Sequence, residues 1–159
     1  MRIRKPLVLV AFIVLCEFAG LFGSIFTFSS IPTWYASLNK PAFTPPGWLF
    51  GPVWTVLYFL MGISAYMIYE SRSRKQNARK ALFAFGAQLV LNVLWTVAFF
   101  GLRSTQLGLV AIILLWIAIA ATIIEFARVR RGAALILVPY ILWVTFAAFL
   151  NYFVLILNH

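Results

Sequence analysis

Five stretches of this chain are apolar for about the length a bilayer requires: roughly residues 6–28, 47–69, 80–101, 106–126 and 133–157. A spanning helix needs about 20 residues. Each stretch is apolar nearly all round and lacks a period-two alternation, so helices are expected rather than barrel strands. In lipid the backbone must satisfy its own hydrogen bonds, and a helix does so within one segment. Composition agrees. The 159 residues are 64% hydrophobic and only 10% charged, whereas a soluble domain carries about 25% charged residues. Too few polar side chains are present to coat a globule in water, which excludes a soluble enzyme and a disordered chain. The expected fold is an all-α integral membrane protein, with residues 1–159 forming a single domain of five transmembrane helices.

The connections carry the helix breakers. Residues 29–46 hold Pro32, Pro41, Pro45 and Pro46, with Gly47 directly after. This linker is expected to be a stiff, Pro-rich lid outside any continuous helix. Pro52 lies in the first turns of the second helix, where its missing N–H is tolerated. Pro139 lies within the fifth and is expected to bend it.

The net charge of +10 would suggest nucleic acid in a soluble protein. Here the basic residues fall in short clusters between apolar runs, and they report orientation instead. Arg2, Arg4, Lys5, Arg72, Arg74, Lys75, Arg79, Lys80, Arg128, Arg130 and Arg131 share one side of a five-span topology, and only Lys40 and Arg103 fall on the other. The positive-inside rule then places the N-terminus in the cytoplasm of a bacterium, with the first loop and the C-terminus opposite. The basic start and the run Leu7 to Leu15 resemble a secretory signal, but the residues around Cys16 make a poor cleavage site and the apolar run continues to Phe28. A retained first span is expected.

Catalytic chemistry is easier to exclude than to assign. His159 is the only histidine and Cys16 the only cysteine, so no His/Cys metal cluster and no intrachain disulfide are expected. The three acids, Glu17, Glu70 and Glu125, are widely separated, so paired-carboxylate chemistry is not expected. Glu17 is the one acid within a span, and such a group is a functional candidate by default. The plainer alternative is a carboxyl hydrogen-bonded to a neighbouring helix.

The aromatic and amide residues form stripes. Trp54 and Tyr58 share a helical face with Met61, Gly62 and Ala65. Gln88, Asn92 and Trp95 share another, as either interhelical hydrogen bonding or the polar edge of a pocket. Tyr140, Trp143, Ala147 and Asn151 form a third, as either core packing or a slot for a flat ligand. Trp34, Tyr35 and Trp48 suit an interfacial aromatic belt. Ala19-x-x-x-Gly23 and Gly20-x-x-x-Ser24 permit close helix contact, within the bundle or in a dimer.

Several longer runs resemble the TspO/MBR family. They are Trp34-Tyr35-x-x-Leu38-x-Lys40-Pro41-x-x-x-Pro45-Pro46; Gly51-Pro52-Val53-Trp54-x-x-Leu57-Tyr58 with Met61-Gly62; Gln88-Leu89-x-Leu91-Asn92-x-x-Trp95; Phe99-Phe100-Gly101; and Pro139-Tyr140-x-x-Trp143-x-x-Phe146-Ala147 with Leu150-Asn151-Tyr152. The resemblance covers essentially the whole chain. It implies a pocket inside the bundle, closed by the first loop, that binds porphyrin or haem, sterols and benzodiazepine-type ligands. Carried over position by position, the pocket residues are Tyr35, Pro45, Trp54, Tyr58, Asn92, Trp95, Trp143, Ala147 and Leu150.

No cofactor is required; a tetrapyrrole enters as ligand. Membrane lipid surrounds the protein and a homodimer is implied. In some bacterial relatives porphyrin is degraded in light, and Trp54 and Trp143 are the positions implicated. Three hypotheses follow: a tetrapyrrole-binding translocator or sensor, a light-dependent porphyrin-degrading enzyme, and a lipid- or partner-binding scaffold. Two departures stand out. Phe43 occupies a position where many relatives have Trp, and no basic residue follows Tyr152 to complete a sterol pattern, which lowers the expectation of sterol binding.

Overall fold

A computed structural model describes residues 5–71 and 75–158. Helix α1 (Pro6–Ser30) starts with proline at its first position, where a missing N–H costs nothing. It continues through a single π turn, Ile31–Tyr35. A 3-10 turn, Gly47–Leu49, leads into α2 (Phe50–Tyr69). Helix α3 (Lys75–Thr96) ends in a second π turn, Val97–Gly101. Helix α4 (Thr105–Val129) is capped by Ser104, whose hydroxyl accepts from the Leu107 N–H at 3.2 Å. The last pass comprises α5 (Arg131–Ile136) and α6 (Val138–Leu157). Five helical stretches are long and apolar enough to cross a membrane. No strand occurs among the described residues. The chain is an all-α, five-span integral membrane protein.

Two details depart from the sequence expectation. The first helix does not stop at residue 28: it runs through Pro32, leaving only 38–46 as loop. A proline inside a helix removes one hydrogen bond and crowds the carbonyl four residues back. The wider π turn makes room for that ring, and the Thr33 hydroxyl donates to the Ser29 carbonyl at 2.7 Å. Pro139 does more than bend its helix. The helix is interrupted at Leu137 and restarts, with Pro139 in the opening turn of α6.

Helix α1 lies along α2 and α3, α3 along α4, and α4 along α6, while α5 reaches back to α2. Close approach of α1 and α2 depends on glycine. A Cβ on Gly62 would lie 2.6 Å from Ile13 Cα, and one on Gly20 would lie 2.3 Å from the Tyr58 ring. Gly23 likewise faces Thr96, so both glycines of the α1 small-residue pairs face inward and serve bundle packing. Hydroxyls tie helices together as well. Ser64 donates to the Ala133 carbonyl at 2.8 Å, and Ser30 to the Phe100 carbonyl at 2.6 Å.

The two ends of the bundle differ. At one, the Lys5 N–H donates to the Tyr66 hydroxyl at 3.1 Å. At the other, the Lys40 ammonium donates to the carbonyls of Tyr35, Ala36 and Leu38 at 2.8, 3.1 and 2.7 Å. A cation placed there complements the negative end of the helix. Asn39 and Asn158 bond reciprocally at 2.9 and 2.8 Å, pinning the loop to the end of α6. Lys5 and Asn158 therefore lie at opposite ends, as an odd number of crossings requires. Of the clustered basic residues, Arg2, Arg4, Arg72 and Arg74 lie outside the described residues, as does His159.

Candidate functional site

The α1–α2 seam is closed near Gly62 and Ile13, and again where Ile31 packs against Gly47. Between those contacts it opens into a cavity of about 540 Å³. That size suits a small-molecule ligand, for which pockets run to roughly 300–1,000 Å³. From α1 the wall takes Glu17, Gly20, Leu21, Ser24, Thr27 and Phe28, a face repeating every three to four residues. From α2 and the turn before it come Trp48, Phe50, Trp54, Thr55 and Tyr58. Trp95, Thr96 and Phe100 form the back wall. Phe28 and Trp48 on the rim are 72% and 73% exposed. The cavity therefore opens sideways between the helices, which in a bilayer means toward lipid.

The aromatic wall is continuous. The Trp54 ring lies 5.6 Å from Tyr58, 5.7 Å from Trp95 and 6.2 Å from Tyr140, centroid to centroid. Those separations fall in the range of favourable aromatic pairing. Behind the wall runs a polar chain that crosses three helices. The Tyr58 hydroxyl donates to Asn92 Oδ1 at 2.5 Å, Asn92 Nδ2 donates to the Tyr140 hydroxyl at 3.0 Å, and that hydroxyl donates to Gln88 Oε1 at 2.8 Å. Gln88 Nε2 then reaches Met61 Sδ at 3.8 Å. The amides thus find partners on other helices, and what they do for the cavity is fix Tyr58 in its wall.

Phe50 marks the inner limit. Its ring lines the cavity and also packs 6.1 Å from Trp143 and 6.4 Å from Tyr35. Trp143 and Tyr35 thus lie behind Phe50. Three buried polar atoms around this aromatic cluster have no hydrogen-bond partner among the described residues: Tyr35 Oη, Trp95 Nε1 and Trp143 Nε1. Donors left so in an apolar site are costly unless something accepts from them. Of the three residues, Trp95 belongs to the cavity wall, while Tyr35 and Trp143 lie off it.

Of the nine pocket residues the resemblance implied, Trp54, Tyr58 and Trp95 line this cavity, and Asn92 supports it from behind. Tyr35, Pro45, Trp143, Ala147 and Leu150 do not line it. Tyr35 is buried against Phe99 and Phe100 and is no belt residue, whereas Trp48 suits the belt. Tyr140, Ala147 and Asn151 are buried, and Asn151 Nδ2 donates to the Thr105 carbonyl at 2.9 Å. Phe43 packs edge-on against Phe146 and Phe153, holding the loop to α6. Among the described residues Glu17 has no hydrogen-bond partner on a neighbouring helix; it faces the cavity. Phe50 was passed over in the sequence, although 50, 54 and 58 repeat at a spacing of four and share one helical face.

The sequence comparisons decide which family this fold belongs to. The sequence profile described as the TspO/MBR family matches residues 12–157. The chain belongs to the TspO/MBR family. It is 43% identical over 155 residues to the tryptophan-rich protein TspO of Chlorobaculum tepidum, covering 98% of both chains. It is 47% identical over 150 residues to the protein of the same name from Archaeoglobus fulgidus, covering 94% of this chain and 96% of that one. The human translocator protein is 39% identical over 138 residues, covering 86% and 82%. The α1–α2 cavity is thus set in a TspO/MBR bundle.

Proposed function

We propose that this protein is a membrane translocator or sensor that binds tetrapyrroles, protoporphyrin and haem among them, in the α1–α2 cavity. The observation that carries the reading is the wall of Trp54, Tyr58 and Trp95, a set of flat rings facing about 540 Å³ that opens toward lipid. A planar, apolar macrocycle dissolved in the bilayer reaches such a site without crossing water. Its faces stack on the indoles, and Trp95 Nε1 stands within the same aromatic cluster as a donor for a ring substituent. Among the described residues the lining is aromatic and aliphatic with few polar groups, so we rest recognition on the faces of the macrocycle. The names of two relatives, translocator protein and tryptophan-rich sensory protein, suit a binding role of this kind.

Titration of protoporphyrin IX into the protein in lipid nanodiscs, followed by tryptophan fluorescence, tests this. Saturable quenching is expected, with Trp54→Ala weakening binding roughly threefold to tenfold through loss of ring stacking. Linear, non-saturating quenching, or unchanged affinity in Trp54→Ala, contradicts it. Light-dependent porphyrin breakdown is the enzymatic alternative. In this arrangement Trp54 of the implicated pair meets the cavity, while Trp143 packs against Phe50, whose ring lines it, so Phe50→Ala should speed any such reaction by opening the way to Trp143.

The resemblance also implies a homodimer. Since Gly20 and Gly23 face inward, we place its interface on a face of the bundle other than the α1 small-residue stripe.

A further inference from the structure

Glu17 sits eleven residues beyond Pro6 in α1, about 17 Å along a helix of ordinary rise. That is close to the middle of a hydrocarbon core of about 30 Å. Of the three acids in the chain, it alone lies at that depth. Charged side chains are rare at such a level and mark binding or transport sites when they occur. Among the described residues it is the only acid or base with a charged form at neutral pH in the cavity lining; the rest of the wall is aromatic, aliphatic, glycine or hydroxyl. It makes no hydrogen bond to another described residue. Its neighbours at the wall, Gly20 and Leu21, lie one turn on along the same helical face, and Gly20 is where the Tyr58 ring packs against α1.

We infer that the Glu17 carboxyl is a recognition group for hydrophobic amines, binding an aromatic or aliphatic molecule with a basic nitrogen in the same cavity that takes the tetrapyrrole. A lone carboxyl on an aromatic wall suits this class. The nitrogen forms an ion pair or a charge-assisted hydrogen bond with the carboxyl oxygens. Indole and phenol faces then attract the cationic centre, Trp best of all. Among the described residues the wall supplies no basic side chain to meet a ligand's own carboxylate, so anionic groups of a ligand are turned away from Glu17. The inference rests on the α1–α2 cavity being the ligand site, as proposed above, and adds a second ligand class with its own residue.

The test compares 2-(1-naphthyl)ethylamine with 1-naphthaleneethanol, which has the same ring and chain but no charge. Each is titrated calorimetrically into nanodisc-embedded protein, with empty nanodiscs subtracted, and protoporphyrin IX is titrated in parallel. The wild type should bind the amine at least tenfold more tightly than the alcohol. Glu17→Gln should bring the two within about twofold while leaving alcohol affinity unchanged. No preference in the wild type, or the same preference in Glu17→Gln, overturns the inference. If Glu17→Gln loses its thermal unfolding transition, Glu17→Asp carries the test: a several-fold loss for the amine alone supports it, and unchanged amine affinity overturns it. Saturable protoporphyrin binding without an amine preference removes this inference and leaves the tetrapyrrole reading standing; amine preference without protoporphyrin binding does the reverse.

Discussion

Tyr140 holds the centre of the buried polar chain, accepting from Asn92 and donating to Gln88. Among the described residues its hydroxyl is the only link between those two amides. Tyr140→Phe therefore strands a donor and an acceptor together, whereas Tyr58→Phe removes one bond and frees only Asn92 Oδ1. Within membranes, interhelical hydrogen bonds average about 0.6 kcal/mol, and a buried group left unpaired costs about 1–3 kcal/mol. Tyr140→Phe is expected to lower unfolding stability in detergent by about 1–2 kcal/mol, and Tyr58→Phe by roughly half of that. Equal effects would mean that the chain is not organised around Tyr140. The residue types were legible in the sequence, since amides within a span must find partners. Which partners they take was not legible, because that depends on how α2, α3 and α6 are rotated against one another. The same limit hid Glu17. Its place in a span could be read, but whether it faced a helix or a cavity is a matter of rotation by one residue.

At the level of elements, α1 and α2 meet through Gly62 and part around a cavity. Gly62→Ala would drive a methyl into the Ile13 backbone, and overpacking of that kind costs about 1–3 kcal/mol. Gly86 has nothing within 4 Å of its virtual Cβ, so Gly86→Ala should be neutral or stabilise by up to about 1 kcal/mol through helix propensity. Melting midpoints of the two variants should therefore move in opposite directions, or only the first should move. The loop makes a separate case. Asn158 holds Asn39 by reciprocal bonds, and Asn158→Ala should accelerate hydrogen exchange at the Asn39 amide while leaving α3 amides unchanged. Element lengths were legible wherever apolar length alone set them, as in α2 and α4. They were misjudged at Pro32, because a proline reads as a break while a π turn lets the helix pass through it. Phe50 was missed for another reason: among many Phe residues, nothing in its type marks it as the ring that lines the cavity and packs against Trp143.

Across the whole molecule, five passes put Lys5 and Asn158 at opposite ends, and we propose that the Lys5 end is cytoplasmic because the basic clusters gather there. In a Cys16→Ser background, Ser37→Cys should react with a membrane-impermeant maleimide on intact cells, and Arg79→Cys only after permeabilisation. The reverse pattern would invert the orientation. The five-span plan was the most legible feature of all, since it follows from apolar length and charge sign without any knowledge of packing. The cavity was legible only in part. Trp54, Tyr58 and Trp95 could be named from their spacing and their likeness to the family, while the closing of the seam at Ile13 and Ile31 could not. The proposed function turns on that seam being the ligand site. The most direct measurement is a density map of the protein in nanodiscs with protoporphyrin IX bound. The macrocycle is expected between α1 and α2, against the Trp54 ring with Tyr58 and Trp95 beside it; a macrocycle seated beyond Phe50 against Trp143, with the α1–α2 cavity holding only lipid, would contradict it.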